Sequence, residues 1–280
     1  MLIVLRLRNT ASQIENLMGR IMIKIIVTLS ALFCASLLNA IVPYDHIHLT
    51  ATNAEEAVAW YTKHFGGVAG AFNRGDADRV QYPTDRVFYD DLSIIFFERE
   101  PTGGSVGTGV DHIGFSLSNV EELVSNVVAD GGEQVGESTE FSGMKIAFVL
   151  DPWGTKIELI DDPDARGLHH IHLSSSEPES TLRWYQNIFG GEIVQWKGVL
   201  PAINYSDVWL MAAKAAGNVV PTQGRAMDHL GWASEDLDDF GRNLRLNDVK
   251  FTLEPLAFRG IRISFGEGPD GVRIEVVEPD

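Results

Sequence analysis

Cysteine is almost missing: the 280-residue chain holds one, Cys34. A lone thiol permits no internal disulfide, so stability must come from ordinary apolar cores. Basic residues are also scarce, 22 Lys and Arg against 39 Asp and Glu, for a formal net charge of −17. That charge favours solubility. It also repels phosphate backbones, and no basic patch interleaves with aromatics, so nucleic-acid binding is excluded. Long hydrophobic runs are lacking too. The one candidate, residues 25–38 after Lys24, is shorter than the roughly 20 residues of a spanning helix. It fits the roughly 7–15-residue apolar stretch of a secretory signal.

Residues 1–40 are therefore expected to be a signal peptide. Translation would start at Met22, or a long basic region with Arg6, Arg8 and Arg20 would precede the apolar run, and cleavage would fall near Ala40. The expected location is the periplasm or the cell exterior, with no membrane partner beyond this segment; an uncleaved anchor is the rival reading. Phe33 before Cys34 does not suit lipid attachment. Cleavage would remove the only cysteine, which excludes thiolate metal ligands and a cysteine nucleophile from the mature chain.

What the chain does have is internal repetition. Asp45-His46-Ile47-His48-Leu49-Thr50 returns as His169-His170-Ile171-His172-Leu173-Ser174, and Trp60-Tyr61 with Phe65-Gly66-Gly67 returns as Trp184-Tyr185 with Phe189-Gly190-Gly191. His46 to His170 and Gly67 to Gly191 are both 124 residues apart. A second pair interleaves with the first. Asp111-His112-Ile113-Gly114 matches Asp228-His229-Leu230-Gly231, and Ile157-Glu158 matches Ile274-Glu275, both at an offset of 117. The order is ABAB, a duplication.

Each unit opens with a β-branched and aromatic run, continues with a helix, and ends in short strands separated by turn residues. Asn53 with Glu56, and Ser118 with Glu121, predict capped helix starts. Gly66, Gly131 and Gly190 stand where helix ends favour positive φ. The strands 145–150 and 155–160 flank Asp151-Pro152-Trp153-Gly154, as 261–265 and 272–277 flank Gly268-Pro269-Asp270-Gly271. The class is α+β, four βαβββ modules. One helix cannot cover a sheet on both faces, so the modules are expected to pair into two domains, 41–163 and 164–280, with the boundary near Pro163–Gly167.

Two histidines and a glutamate recur at equivalent places in each half: His46, His112 and Glu158 in the first, His170, His229 and Glu275 in the second. Glu158 and Glu275 lie among aliphatics, where a carboxylate is costly to bury without a partner. A metal would supply one. Two imidazoles and a carboxylate leave positions open for substrate and suit Fe(II), Mn(II), Zn(II) or Ni(II).

These openings and the closing Asp151-Pro152-Trp153-Gly154-Thr155-Lys156-Ile157-Glu158 resemble the vicinal-oxygen-chelate superfamily of glyoxalases, bleomycin resistance proteins and extradiol dioxygenases. The resemblance covers residues 44–280. It implies four βαβββ modules paired into two half-open barrels, with His46, His112 and Glu158 as one ligand set and His170, His229 and Glu275 as another. Glyoxalase-like members often add a fourth ligand from the last strand of the first module. Here that register holds Ile95 or Phe96, unless a slip brings Glu98 there, and the third module offers Leu210, Met211 or Ala212. Three-ligand sites are closer to the dioxygenase and thiol-transferase branches. Yet where extradiol dioxygenases carry a tyrosine, this chain has Phe148 and Phe265.

His48 and His172 sit two residues after a histidine ligand, hence on the same strand face, and are candidate catalytic proton-transfer groups or packing residues. Gly114 and Gly231 leave room for a ligand. Trp60, Tyr61, Trp184 and Tyr185 read as core, His64 and His169 as surface or packing residues. The expectation is a metal-dependent enzyme on a small oxygenated molecule, by glyoxalase-like lyase or isomerase chemistry or by dioxygenase-like chemistry. The alternative is a non-catalytic small-molecule binder of the bleomycin-resistance type.

Overall fold

The computed structural model describes residues 41–279; the expected export signal and Cys34 lie outside the described residues. Four modules follow one plan. The first is β1 (Tyr44–Ala51), α1 (Ala54–Phe65), β2 (Val68–Ala71), β3 (Thr84–Tyr89) and β4 (Leu92–Glu98). The second is β5 (Val110–Ser116), α2 (Val120–Ala129), β6 (Glu133–Phe141), β7 (Met144–Leu150) and β8 (Lys156–Ile160). The third is β9 (Gly167–Ser175), α3 (Pro178–Phe189), β10 (Ile193–Trp196), β11 (Leu200–Tyr205) and β12 (Val208–Lys214). The fourth is β13 (Met227–Ala233), α4 (Leu237–Leu246), β14 (Lys250–Phe258), β15 (Ile261–Glu267) and β16 (Arg273–Glu278). Among the described residues, no helix is long and apolar enough to cross a membrane.

Local chemistry accounts for the helix ends. Asn53 caps α1, its side chain accepting from the Glu56 amide at 3.0 Å, and Gly66 and Gly190 close α1 and α3 at φ of 74° and 76°, a region that glycine enters without a Cβ clash. The Ser118–Glu121 capping box does not form. Asn119 precedes α2 in the left-handed region without a side-chain cap, and Glu121 pairs with Lys145 at 2.8 Å instead.

The strands form two open eight-stranded sheets, in the orders β14-β15-β16-β13-β1-β4-β3-β2 and β10-β11-β12-β9-β5-β8-β7-β6. The first therefore joins module one to module four, and the second joins module two to module three. Pairing within each half was the simpler expectation, and the strand ladders cross between halves. Helix packing does stay within each half. Phe65 stacks on Phe115 with ring centres 4.3 Å apart, and Phe189 stacks on Trp232 at 4.1 Å. Trp60 Nε1 donates to the Asp130 carbonyl at 3.0 Å. Trp60, Tyr61 and Tyr185 are buried and Trp184 packs against the core, as the sequence predicts.

Trp232 is fully buried against Tyr44, Tyr185 and Phe189, which come from modules one and three. Trp232→Ala should destabilise the chain by about 3–5 kcal/mol, the range for deleting a large buried aromatic. Urea unfolding would show this as a lower midpoint at unchanged slope.

Candidate metal centres

The central pairings β1–β13 and β5–β9 build the sites. Each contains two register shifts, and the extra residue at each is Asp45, Asp228, Asp111 or His169. Such bulges re-aim a side chain that strict alternation would send to the other face. At each bulge the extra residue reaches the histidine beside it. Asp45 Oδ1 meets His46 Nδ1 at 2.7 Å, Asp228 Oδ1 meets His229 Nδ1 at 2.6 Å, and Asp111 Oδ2 meets His112 Nδ1 at 2.8 Å. At the fourth position His169 Nδ1 meets His170 Nδ1 at 2.8 Å, and His169 Nε2 faces Asp162 at 3.4 Å.

All six expected ligands converge, but in exchanged sets. The first centre is His46, His229 and Glu275; the second is His112, Glu158 and His170, with His172 close by. The within-half triads are corrected by the strand pairing: His48 stands opposite His229, and His112 opposite His172. In the first centre His46 Nε2 lies 3.3 Å from His229 Nε2, and both approach Glu275 Oε2, at 3.0 and 2.8 Å. In the second, Glu158 Oε2 lies 3.0 Å from His112 Nε2 and 3.4 Å from His170 Nε2.

These donors fit a metal ion. A carboxylate only accepts, so Asp45 and Asp228 hold the proton on Nδ1 of their histidines and turn a lone pair inward at each neutral Nε2. With both rings neutral, two lone pairs and a buried carboxylate face one another, a donor set that a metal ion would satisfy and that a proton on Nε2 satisfies in its absence. In the second centre, Asp162 can fix the His169 tautomer so that His169 accepts from His170 Nδ1. The buried His170 Nε2 is left without a hydrogen-bond partner.

In the metal-free protein a proton takes the place of the ion. Burial alone would lower the His46 pKa, but hydrogen bonds to Asp45 and Glu275 raise it to about 9. Burial pushes the Glu275 carboxyl up, and hydrogen bonds from His229 and His46 outweigh it, holding the group well below its usual range. Glu158 behaves likewise, with burial opposed by the His170 charge and by the His112 hydrogen bond. His48 and His172 are pushed well below 6.5, first by burial and then by neighbouring histidines.

Glycine makes room for each ring. A Cβ on Gly231 would lie 2.3 Å from His46 Cε1, and one on Gly114 would lie 2.0 Å from His170 Cε1. Ile95 pairs with His48 on β4, the register where a fourth carboxylate would stand. Glu98 is exposed on the opposite strand face and accepts from the Ala54 amide at 3.4 Å, so it does not ligate. His64 and His169 are both buried, so neither is a surface residue; His64 bonds Asp130 at 2.9 Å and His169 orients a ligand.

Sequence reasoning missed the aspartates and the arginines behind them. Arg99 and Arg273 hold Asp228 at 2.6 and 2.7 Å, Arg74 pairs with Asp45, and Lys156 holds Asp111 at 2.6 Å. The signal was the aspartate directly before three of the four histidines. A cavity of about 940 Å³ opens over the first centre, lined by His46, His48, Glu275, Arg273, Phe97 and Phe265 among others.

Residues 44–159 and 167–276 each match the pattern of the glyoxalase/bleomycin resistance protein/dioxygenase superfamily. The chain belongs to that superfamily. Within it, a lactoylglutathione lyase of Arabidopsis thaliana is 26% identical over 193 residues, 62% of this chain and 68% of the relative. A lactoylglutathione lyase of Escherichia coli O157:H7 is 42% identical over 66 residues, 22% of this chain and about half (49%) of that relative. Glyoxalase I from Zea mays shares the fold at a TM-score of 0.65 and 19% identity, over 84% of this chain and 92% of that one. A putative dioxygenase from Bacillus subtilis does so at 0.57 and 13%, over 85% of each chain.

Two predictions follow from this geometry. Gly231→Ala should displace the His46 ring and cost the first centre its metal, read as one fewer ion per chain by elemental analysis. At pH 7.5 His46 carries a proton in the metal-free protein, because 7.5 lies below its pKa of about 9. Metal uptake must expel that proton. Affinity at the first centre should therefore rise as pH increases from 7 to 9, and calorimetry in buffers of different ionisation enthalpy should register the release.

Proposed function

We propose that this superfamily member is a metal-dependent enzyme whose working site is the His46–His229–Glu275 centre beneath the cavity, acting on a small molecule with two adjacent oxygens. The observation that carries the reading is the convergence of three inward-facing donor atoms, 2.8–3.3 Å apart, at a cavity of about 940 Å³, within the range of small-molecule pockets. A divalent ion held there would supply Lewis acidity towards the substrate oxygens. The protein side chains supply the rest.

His48 lines the same cavity. With its pKa well below 6.5, it is neutral at physiological pH and able to take a proton from a carbon beside a polarised carbonyl. That role falls to it because Ile95 brings no second carboxylate. Arg273, also in the lining and held to Asp228 at 2.7 Å, brings a positive charge to the cavity wall beside the substrate oxygens. Phe97 and Phe265 give apolar walls that limit water. Phe265 lies edge-on to His229 with ring centres 5.1 Å apart and carries no hydroxyl. These features favour proton-transfer chemistry of the lyase or isomerase class over oxidative ring cleavage. The likeness to lactoylglutathione lyases points the same way.

Turnover of small ketoaldehydes, with and without a thiol, and oxygen uptake with catechols should be measured on metal-free and reconstituted protein. Ketoaldehyde turnover should depend on metal and vanish in Glu275→Ala. His48→Ala should lower kcat by roughly 10²–10⁴, the usual worth of a positioned base, at unchanged metal content. Tight stoichiometric binding without turnover or metal dependence would overturn this reading in favour of a sequestering protein.

A further inference from the structure

The two centres descend from one design but differ in the layer that backs the histidine after the first ligand. In the first, His48 stacks on Phe97 with ring centres 3.6 Å apart and planes at 19°. Phe97 in turn lies under the Arg99 guanidinium, 4.8 Å from its ring centre, and Arg99 is anchored to Asp228 at 2.6 Å. This sandwich fixes the His48 ring from one side. Phe97 pairs with Thr50 on β1. At the second centre the matching partner of Ser174 on β9 is Ala213, and the residue matching Arg99 is Ala215. The stack has no counterpart there.

The histidines otherwise correspond closely. His48 lies 4.6 Å from His229, ring centre to ring centre, at 46°, and His172 lies 4.6 Å from His112 at 48°. Yet only His172 joins a ligand group. His112, Glu158, His170 and His172 each bring a donor atom within 4.8 Å of the other three, whereas His46, His229 and Glu275 meet the same condition without His48. An apolar cluster stands beside the second centre, with Trp196 5.4 Å from the His169 ring and Met211 paired with His172. Phe141 at the end of β6 stacks on Trp196 at the end of β10, 5.9 Å apart and parallel to within 2°, and Met144, Ile160, Ala202 and Met211 cluster with Trp196. None of the four donor residues lines the cavity of the first centre.

We propose that the second centre is a closed four-donor metal site of structural type, with His172 as its fourth ligand, and that Phe97 keeps the first centre open by holding His48 out of coordination. Three imidazole nitrogens and one carboxylate oxygen suit zinc, whose structural sites are four-coordinate whereas its catalytic sites keep a position free. The assignment rests on the metal reading of these clusters and not on the reaction proposed above.

The test uses the full chain carrying Glu275→Ala, so that only the second centre reports. It should retain one zinc per chain on dialysis, and its cobalt(II) form should show the intense visible absorption of a four-coordinate ion. Adding His172→Ala should weaken zinc by more than the roughly 10–100-fold typical of losing an outer-shell partner, with loss of the cobalt band. Ala213→Phe, which leaves every donor in place and offers His172 a ring to stack on, should do the same. Less than tenfold weakening in both variants, at an unchanged urea midpoint, would overturn the role of His172. No zinc retention by the Glu275→Ala chain would overturn the site itself. In a Glu158→Ala chain, Phe97→Ala should convert a weak cobalt spectrum at the first centre into an intense one, and an unchanged spectrum would overturn the role of Phe97. None of these readouts depends on turnover, so failure of the proposed reaction leaves them intact.

Discussion

The antiparallel pairing of β1 with β13, and of β5 with β9, is the constraint on which the molecule depends. Each ladder puts a ligand histidine directly opposite a glycine, His46 against Gly231 and His170 against Gly114. Side chains alternate with a period of two, so a slip of one residue would turn both histidines of a ladder away from the cup. The bulges make the register do more than alternation allows. They bring the residue preceding each histidine round to its Nδ1, so position, tautomer and inward lone pair are set by one local irregularity.

Charge then follows from burial. Glu275 and Glu158 are buried beside histidines, and an uncompensated carboxylate there would be costly. The aspartates behind the histidines are themselves held by Arg74, Arg99, Arg273 and Lys156. Each of these aspartates thus has a cationic partner, whereas His169 takes the fourth place as a neutral intermediary to Asp162, which itself pairs with Lys197 at 3.1 Å. The two centres share a frame and differ in their surroundings, an open cavity with aromatic walls at one and an apolar cluster around Trp196 beside the other.

Much of this was legible in the residues. The repeat offsets located all four modules, all six converging side chains and the two following histidines, because duplicated chemistry stands out against diverged packing. Which histidine meets which glutamate was not legible. Periodicity defines the face of a strand, but not its partner, and partner choice here depends on helix packing within halves and sheet pairing across them. Ser118 read as a cap, yet Asn119 in a left-handed conformation precedes α2, and Glu121 is drawn to Lys145 on β7 instead. His169 read as a surface or packing residue, and its role beside His170 comes from a bulge that residue spacing does not reveal.

The crossed pairing also sets an order on the birth of the molecule. The second sheet is built from the uninterrupted stretch between Val110 and Lys214, so its strands can find one another as soon as that stretch leaves the ribosome. The first sheet brackets it. β1 is made well before its neighbour β13, which begins only at Met227, and Glu275 follows His46 by 229 residues. Until then β1 and β4 present an unprotected apolar edge, the kind of surface that recruits chaperones or strays into aggregates. The site with the open cavity is thus the one completed later, after the whole of the second sheet has been made.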